Sequence, residues 1–369
     1  MSLDDVVLVA TTYFPNENSQ SDKVRSDLSL RTAKLAQQKG IELYVVDGGS
    51  YNSFVDELMS IGDKIHYIKQ DESSPGMGPG KRQAIRTGFD SQKKFIVVFD
   101  LEKPSVVDEI EKMVEPLQNN SADIVVPNRG DLAKTYPVTQ AFEETIGNKF
   151  WRALTGADLD VWSGIRTMKR EHAHYFYEYD PKGYGDAWNT LFIPLLDAVR
   201  NKLVISSVDI DYNHATEQSS HENLNLLFDI KRKTQFYHIT LGLLARCLSY
   251  HGAEKNIEHL QNRFVSAFNE FYRDYHEVIN NLQKIYDILT MKGKKELFFP
   301  GFEIASELFS GISYNAYLYN LELLTRGIEL IEQISKLEAI DAGRKRELGE
   351  LFISMTGLPR AYKMEKIFA

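Results

Sequence analysis

Short β-branched runs alternate with helical pattern through the first half of the chain, and this alternation restricts the fold more than any single motif. Val6, Val7, Leu8 and Val9 make an apolar run of strand length. Val24, Leu28 and Leu35 then share one helical face that stops at Gly40, a residue suited to the left-handed position after a helix. Residues 41–46 form the next buried run, which ends at the turn-forming Asp47, Gly48, Gly49 and Ser50. Residues 54–61 suit a short helix, 64–68 a strand, and 81–89 a helix opened by the Gly-rich loop ahead of it. The run 95–99 is the most hydrophobic strand, and 124–126 follows after another helical stretch. Strand and helix at this spacing predict an α/β fold, a mostly parallel sheet with helices on both faces. Ligands of such sheets bind beyond the carboxyl ends of the strands, so each loop there is a candidate site.

The pattern changes near residue 215. From 224 to 369 helical periodicity dominates, as in Leu226, Ile230, Phe236 and Leu244, with breaks expected at 250–254 and 292–302. Phe264, Phe268, Phe271, Tyr272 and Tyr275 read as helix-packing core. Two domains are expected, an α/β domain over 1–220 and an all-helical C-terminal region over 221–369. Composition narrows the partners. Forty-three Lys and Arg face 52 Asp and Glu, a net charge of -9, which lacks the basic footprint that nucleic-acid phosphates require. A nucleotide ligand needs only a local cation or a metal, so it stays open. The single Cys247 excludes an intrachain disulfide scaffold. The N-terminus carries Asp4 and Asp5 where a signal peptide has basic residues, and Arg246 interrupts the apolar stretch 239–245 well short of a membrane span. A cytoplasmic protein without a membrane span is expected, with a homo-oligomer left open.

Three features carry chemistry. Gly76, Gly78 and Gly80 precede Lys81 and Arg82, but Pro75 and Arg82 stand where a P-loop needs Gly and Ser or Thr. A flexible loop before a helix N-terminus bearing two cations still suits a phosphate or diphosphate. Asp100 and Glu102 follow the 95–99 strand, where paired carboxylates can share a divalent cation with a nucleoside diphosphate. Oxygen ligands favour magnesium or manganese, and an added imidazole tilts the choice toward manganese. His214 supplies such an imidazole after the apolar run 203–210. Between these lies Asp186, preceded by Gly183, Tyr184 and Gly185.

In their order these segments resemble the GT-A-fold nucleotide-sugar glycosyltransferases of the family-2-like kind. The run 45–50, ending Asp47, Gly48, Gly49 and Ser50, resembles the second-strand Asp-Asp-Gly-Ser motif, with Gly48 replacing its second acid. The run 80–84 resembles the Gly-Lys segment, and Asp100 and Glu102 stand where the DxD metal motif belongs, with Glu as the second acid. The run 160–166 resembles the acceptor-side strand. Within that superfamily the chain most resembles the mannosylglycerate synthases, which share Arg129 after a Val-Val strand, Ser163 with Gly164, the run 189–192, and His214 before a helical region. That family's acid just before Thr-Leu is Asn189 here.

The resemblance implies a GT-A-type sheet and a metal-dependent hexosyltransferase using a nucleoside diphosphate sugar. GDP-mannose is the favoured donor, and a small hydroxyl compound such as glycerate the acceptor. It implies donor binding by Thr11, Tyr13, Pro15, Asp47, Lys81 and Asp100, and acceptor binding by Arg129, Trp162, Ser163 and Gly164. It further implies a manganese or magnesium ion on Asp100, Glu102 and His214. Asp186 and Asn189 compete for the role of orienting or deprotonating the acceptor hydroxyl. Two other functions share this architecture, a sugar nucleotidyltransferase and a non-catalytic nucleotide-sugar-binding or assembly protein. The segment 11–15 lacks the Gly-rich signature that the first of these places after its opening strand.

Overall fold

The computed structural model describes residues 3–250, apart from 137, 183 and 223–225, together with residue 343. Its chain contacts divide into two units, residues 1–225 with 238–243, and residues 226–237 with 244–369. The first holds strands β1 (Val6–Thr12), β2 (Glu42–Asp47), β3 (Ile65–Lys69), β4 (Phe95–Asp100), β5 (Ile124–Asn128), β6 (Arg166–Lys169) and β7 (Ile205–Asp209). Between them run α1 (Gln20–Gln38), α2 (Asn52–Ser60), α3 (Met77–Asp90), α4 (Ser105–Asp108), α5 (Ile110–Gln118), α6 (Leu132–Thr135), α7 (Val138–Thr155), α8 (His174–Tyr177) and α9 (Asn189–Arg200). Helices α10 (Thr216–Glu222) and α11 (Leu226–Ser249) follow. In the second unit the described residues up to Ser249 are helical, within α11. The breaks expected at 250–254 and 292–302 and the aromatic set 264–275 lie outside the described residues, save Tyr250.

The sheet runs β3-β2-β1-β4-β6-β5-β7. All pairings are parallel except those of β6, which is antiparallel to both β4 and β5. The carboxyl ends of the other six strands and the amino end of β6 therefore share one edge. Alternation along the central strands sends side chains to two layers. Leu8, Ala10, Leu43, Val45 and Val97 share a core with Leu30, Ala33 and Ala36 of α1 and Met113, Val114 and Leu117 of α5. On the opposite face α3 comes close: a Cβ at Gly88 would stand 2.9 Å from Val9 Cγ1 and 3.0 Å from Ile96 Cγ2.

The ends of α1 show how local sequence fixes an element. Ser19 accepts from the Asp22 amide at the N-cap. Gly40, at φ +69°, follows the C-cap, and the Ile41 amide donates to Ala36 across it.

Helix α3 departs from expectation. It begins at Met77, so Gly78, Pro79 and Gly80 form its first turn rather than a loop before it. Lys81 consequently sits inside the helix and is buried, not at an exposed junction. Glycine is needed here because a Cβ at Gly78 would collide with the Asp186 carboxylate and stand 2.5 Å from the Asp186 backbone oxygen.

Candidate active site

Register brings the strand ends together. Thr11 lies beside Asp100, Thr12 beside Asp47, and Asp47 beside Lys69. Asp47 is buried and anchors the turn after β2: its Oδ2 accepts from the Gly49 and Ser50 amides at 3.0 and 2.9 Å, and Oδ1 accepts from Thr12 Oγ1 at 2.8 Å. Tyr13 is exposed beside this turn, at 54%, and Pro15 is exposed as well. Thr11 is half-buried.

Gln70, which the sequence did not single out, fills the space between that turn and α3. Its Nε2 donates to the Ser74 and Gly76 carbonyls at 2.9 and 2.8 Å. Its Oε1 lies 3.0 Å from where a Cβ would stand at either Gly48 or Gly80. A second acid at position 48 would meet this amide, which is a physical reason for Gly48. Its signal in the sequence was the pair of glycines.

The Lys81 ammonium donates to Asp100 Oδ1 at 2.9 Å. Burial pushes the Asp100 carboxyl up, but Lys81, with Lys103 and Arg25, overrides it and holds the group at about 2. Asp100 stays half-exposed, and a Cβ at Gly164 would come 3.7 Å from its Oδ2. Glu102 is bound by Arg25, whose Nε donates to Oε2 at 2.9 Å, and Gln218 donates to its Oε1 at 3.4 Å. His214 is buried, with Lys103 Nζ 3.2 Å from its Nδ1 and the Tyr136 ring 4.6 Å away. Each expected metal ligand thus faces a protein cation, and among the described residues no three His, Cys, Asp or Glu side chains converge as a cation's ligand set. Asp100 alone fits as it stands: an ionised, half-exposed oxygen ligand at a strand end. Glu102 and His214 would join it only by leaving Arg25 and Lys103. Lys103 and Arg25 escaped the sequence reading, although Lys103 adjoins Glu102.

Arg129, expected on the acceptor side, is 4% exposed and spends its guanidinium inside the unit. Its Nε and NH2 donate to Asp160 at 2.7 and 2.8 Å, NH1 donates to Tyr136 Oη at 2.8 Å, and Glu144 lies 2.7 Å from NH2. Burial works against the charge, and the Glu144, Tyr136 and Asp160 oxygens more than offset it. Trp162 is likewise core: it is buried against Phe192, its indole where a Cβ at Gly147 would collide with it. Ser163 and Gly164 remain half-buried at the edge.

Asp186 and Asn189 are not placed as free catalytic groups. Both Asp186 carboxylate oxygens are bound by Arg82, NH2 donating to Oδ2 at 3.0 Å and NH1 to Oδ1. Asn189, 2% exposed at the start of α9, donates from Nδ2 to the Tyr184 carbonyl and to the His238 carbonyl, the latter at 3.1 Å. Two carbonyl acceptors explain an amide where the resembling family has an acid. Asn189→Asp should therefore set a carboxylate against two carbonyl oxygens, at about 2–4 kcal/mol of stability, measured by urea unfolding. Unchanged stability would show that the amide is not needed there.

No helix among the described residues is long and apolar enough to cross a membrane. A search of curated proteins finds no match to the chain. Similar solved structures include glucosyl-3-phosphoglycerate synthase from M. tuberculosis, 14% identical over 66% of this chain and 80% of that one, with a TM-score of 0.43. Mannosyl-3-phosphoglycerate synthase from Rubrobacter xylanophilus is 13% identical over 67% and 75%, at 0.45. Mannosyltransferase PcManGT from Pyrobaculum calidifontis, in complex with GDP-Man and Mn2+, is 12% identical over 66% and 64%, at 0.43. Residues 28–175 match the family described as Glycosyl transferase family 2, a span that holds Asp47, Lys81, Asp100, Glu102 and 162–164. The match begins within α1 and ends within α8 of the seven-stranded unit.

Proposed function

We propose that the chain transfers a hexose from a nucleoside diphosphate sugar, GDP-mannose in first place, to a small hydroxyl acceptor such as glycerate or a related hydroxy acid. The observation that carries this is the buried Lys81 ammonium paired with an ionised Asp100 at the ligand-binding edge of a glycosyl transferase family 2 domain. Tyr13, Thr11, Pro15 and the Asp47-anchored turn form the donor's base side. Lys81, with Lys103 and Arg25 near Asp100, supplies positive charge where a diphosphate leaves, and preorganised charge of this kind is the largest expected catalytic contribution. A manganese or magnesium ion would be held by Asp100, with Glu102 and His214 recruited to it, and would add Lewis-acid neutralisation of the diphosphate. Ser163 and Gly164 face the acceptor side. Asn189 cannot take a proton and gives its amide to two carbonyls, so it shapes the backbone around the start of α9. Asp186, which would take a proton only after parting from Arg82, orients the acceptor hydroxyl.

Calorimetry with GDP and with UDP, each with and without manganese, tests donor binding. A nucleoside diphosphate should raise the unfolding temperature, since ligand at 100 times its Kd adds about 2.7 kcal/mol to the native state. No shift with any nucleoside diphosphate would contradict the assignment.

A further inference from the structure

Arg166 opens β6 and is fully buried, with 0% exposure. NH1 donates to the Ile165 carbonyl and NH2 to the Val161 carbonyl, each at 2.7 Å. No carboxylate is hydrogen-bonded to it, and its Nε has no hydrogen-bond partner among the described residues. The Phe192 ring lies 5.6 Å from its Cζ. Burial lowers the tendency of this guanidinium to hold its charge. Taking a cation out of water is expensive, and two carbonyls, one ring and the field of the Asp160 carboxylate, which is itself bound by Arg129 and Asn148, are thin compensation. The position of those carbonyls supplies another reason for the residue. They bracket Trp162, Ser163 and Gly164. Because Val98 pairs with Arg166 in antiparallel register, the chain two residues earlier comes opposite Asp100. Gly164 stands there in a left-handed conformation, φ +70°, beside Asp100 Oδ2.

We propose that Arg166 is a positioning residue: by holding the Val161 and Ile165 carbonyls it fixes Ser163 and Gly164 against Asp100, a role that rests on the transferase reading above.

The test combines a structural and a kinetic measurement on Arg166→Met and Arg166→Lys. The chain has three tryptophans, so 5-fluorotryptophan labelling gives three 19F resonances, and Trp162→Phe identifies the one inside the bracketed segment. In Arg166→Met the Trp162 resonance should shift or split while those of Trp151 and Trp188 stay, in protein that remains folded at the assay temperature. Release of GDP from GDP-mannose with manganese should lose about tenfold or more in kcat with KM changed less than about twofold, the pattern of a misplaced site rather than weakened binding. Arg166→Lys, able to reach one carbonyl, should regain part of kcat. An unmoved Trp162 resonance would overturn the assignment, as would a kcat loss in both variants that is matched by loss of folded protein. Should the unaltered protein release no GDP, the transferase reading fails, and the resonance alone still decides whether Arg166 holds the segment.

Discussion

Arg129→Ala is expected to cost the fold about 3–5 kcal/mol, because it strands Asp160 and Glu144 as buried carboxylates without their cation. Asp160 also accepts from Asn148 Nδ2 at 2.8 Å and the Arg129 amide at 3.2 Å, so the loss spreads across β5, α7 and the segment leading to β6. For a unit of this size the unfolding temperature should fall by roughly 10 °C or more. Arg129→Lys should recover little, since one ammonium cannot reproduce the fork that meets both Asp160 oxygens, Tyr136 and Glu144. Calorimetric unfolding of the three proteins measures this. A variant of normal stability with only a raised acceptor KM would return Arg129 to the acceptor role that its sequence position suggested.

Lys81→Met should do the opposite, leaving the fold and removing function. The methionine keeps most of the buried stem, so the fold should persist, and the half-exposed Asp100 remains solvated, which limits the loss of stability to the part that its pairing with Lys81 contributes. Turnover of a nucleoside diphosphate sugar should fall on the order of 10²-fold, as when one preorganised charge donor is removed from a leaving group. A pH signature accompanies it. Asp100 titrates at about 2 in the folded protein, below the ordinary carboxylate value of about 4. The unfolded chain therefore binds more protons between these values, and the stability Asp100 contributes is present above about pH 4 and lost as pH falls toward 2. Without Lys81 most of that depression goes, so the two proteins should differ most above about pH 4 and converge in acid. A large loss of thermal stability with turnover of the folded protein unchanged would show that Lys81 is structural.

The strands were legible where, as in β1 and β4, they are buried on both faces and read as near-unbroken apolar runs. The start of α3 was not, because three glycines and prolines read locally as a loop, whereas Gly78 and Gly80 are small to admit Asp186 and Gln70. The direction of β6 was also hidden, since a four-residue strand carries no signal of antiparallel pairing. Lys81, Asp100 and Gly164, picked out by their order along the chain, lie near one another at one end of the sheet. What that order lacked was long-range electrostatics: Arg25 meets Glu102 across 77 residues and Arg82 meets Asp186 across 104. Burial of Arg129 depends on two acids from other elements, and Asn189 on a carbonyl from residue 238, neither of which any local pattern encodes.

The most direct measurement is chromatographic and mass-spectrometric analysis of the full chain incubated with GDP-mannose and manganese, with and without D-glycerate. Slow release of GDP alone is predicted, accelerated by the hydroxy acid, with a product heavier than that acid by one hexose residue. UDP-glucose and other hexose donors run in parallel would identify a different base or sugar within the same reaction. Release of no nucleoside diphosphate from any of them, or of pyrophosphate from a nucleoside triphosphate and a sugar phosphate instead, would contradict glycosyl transfer at this site.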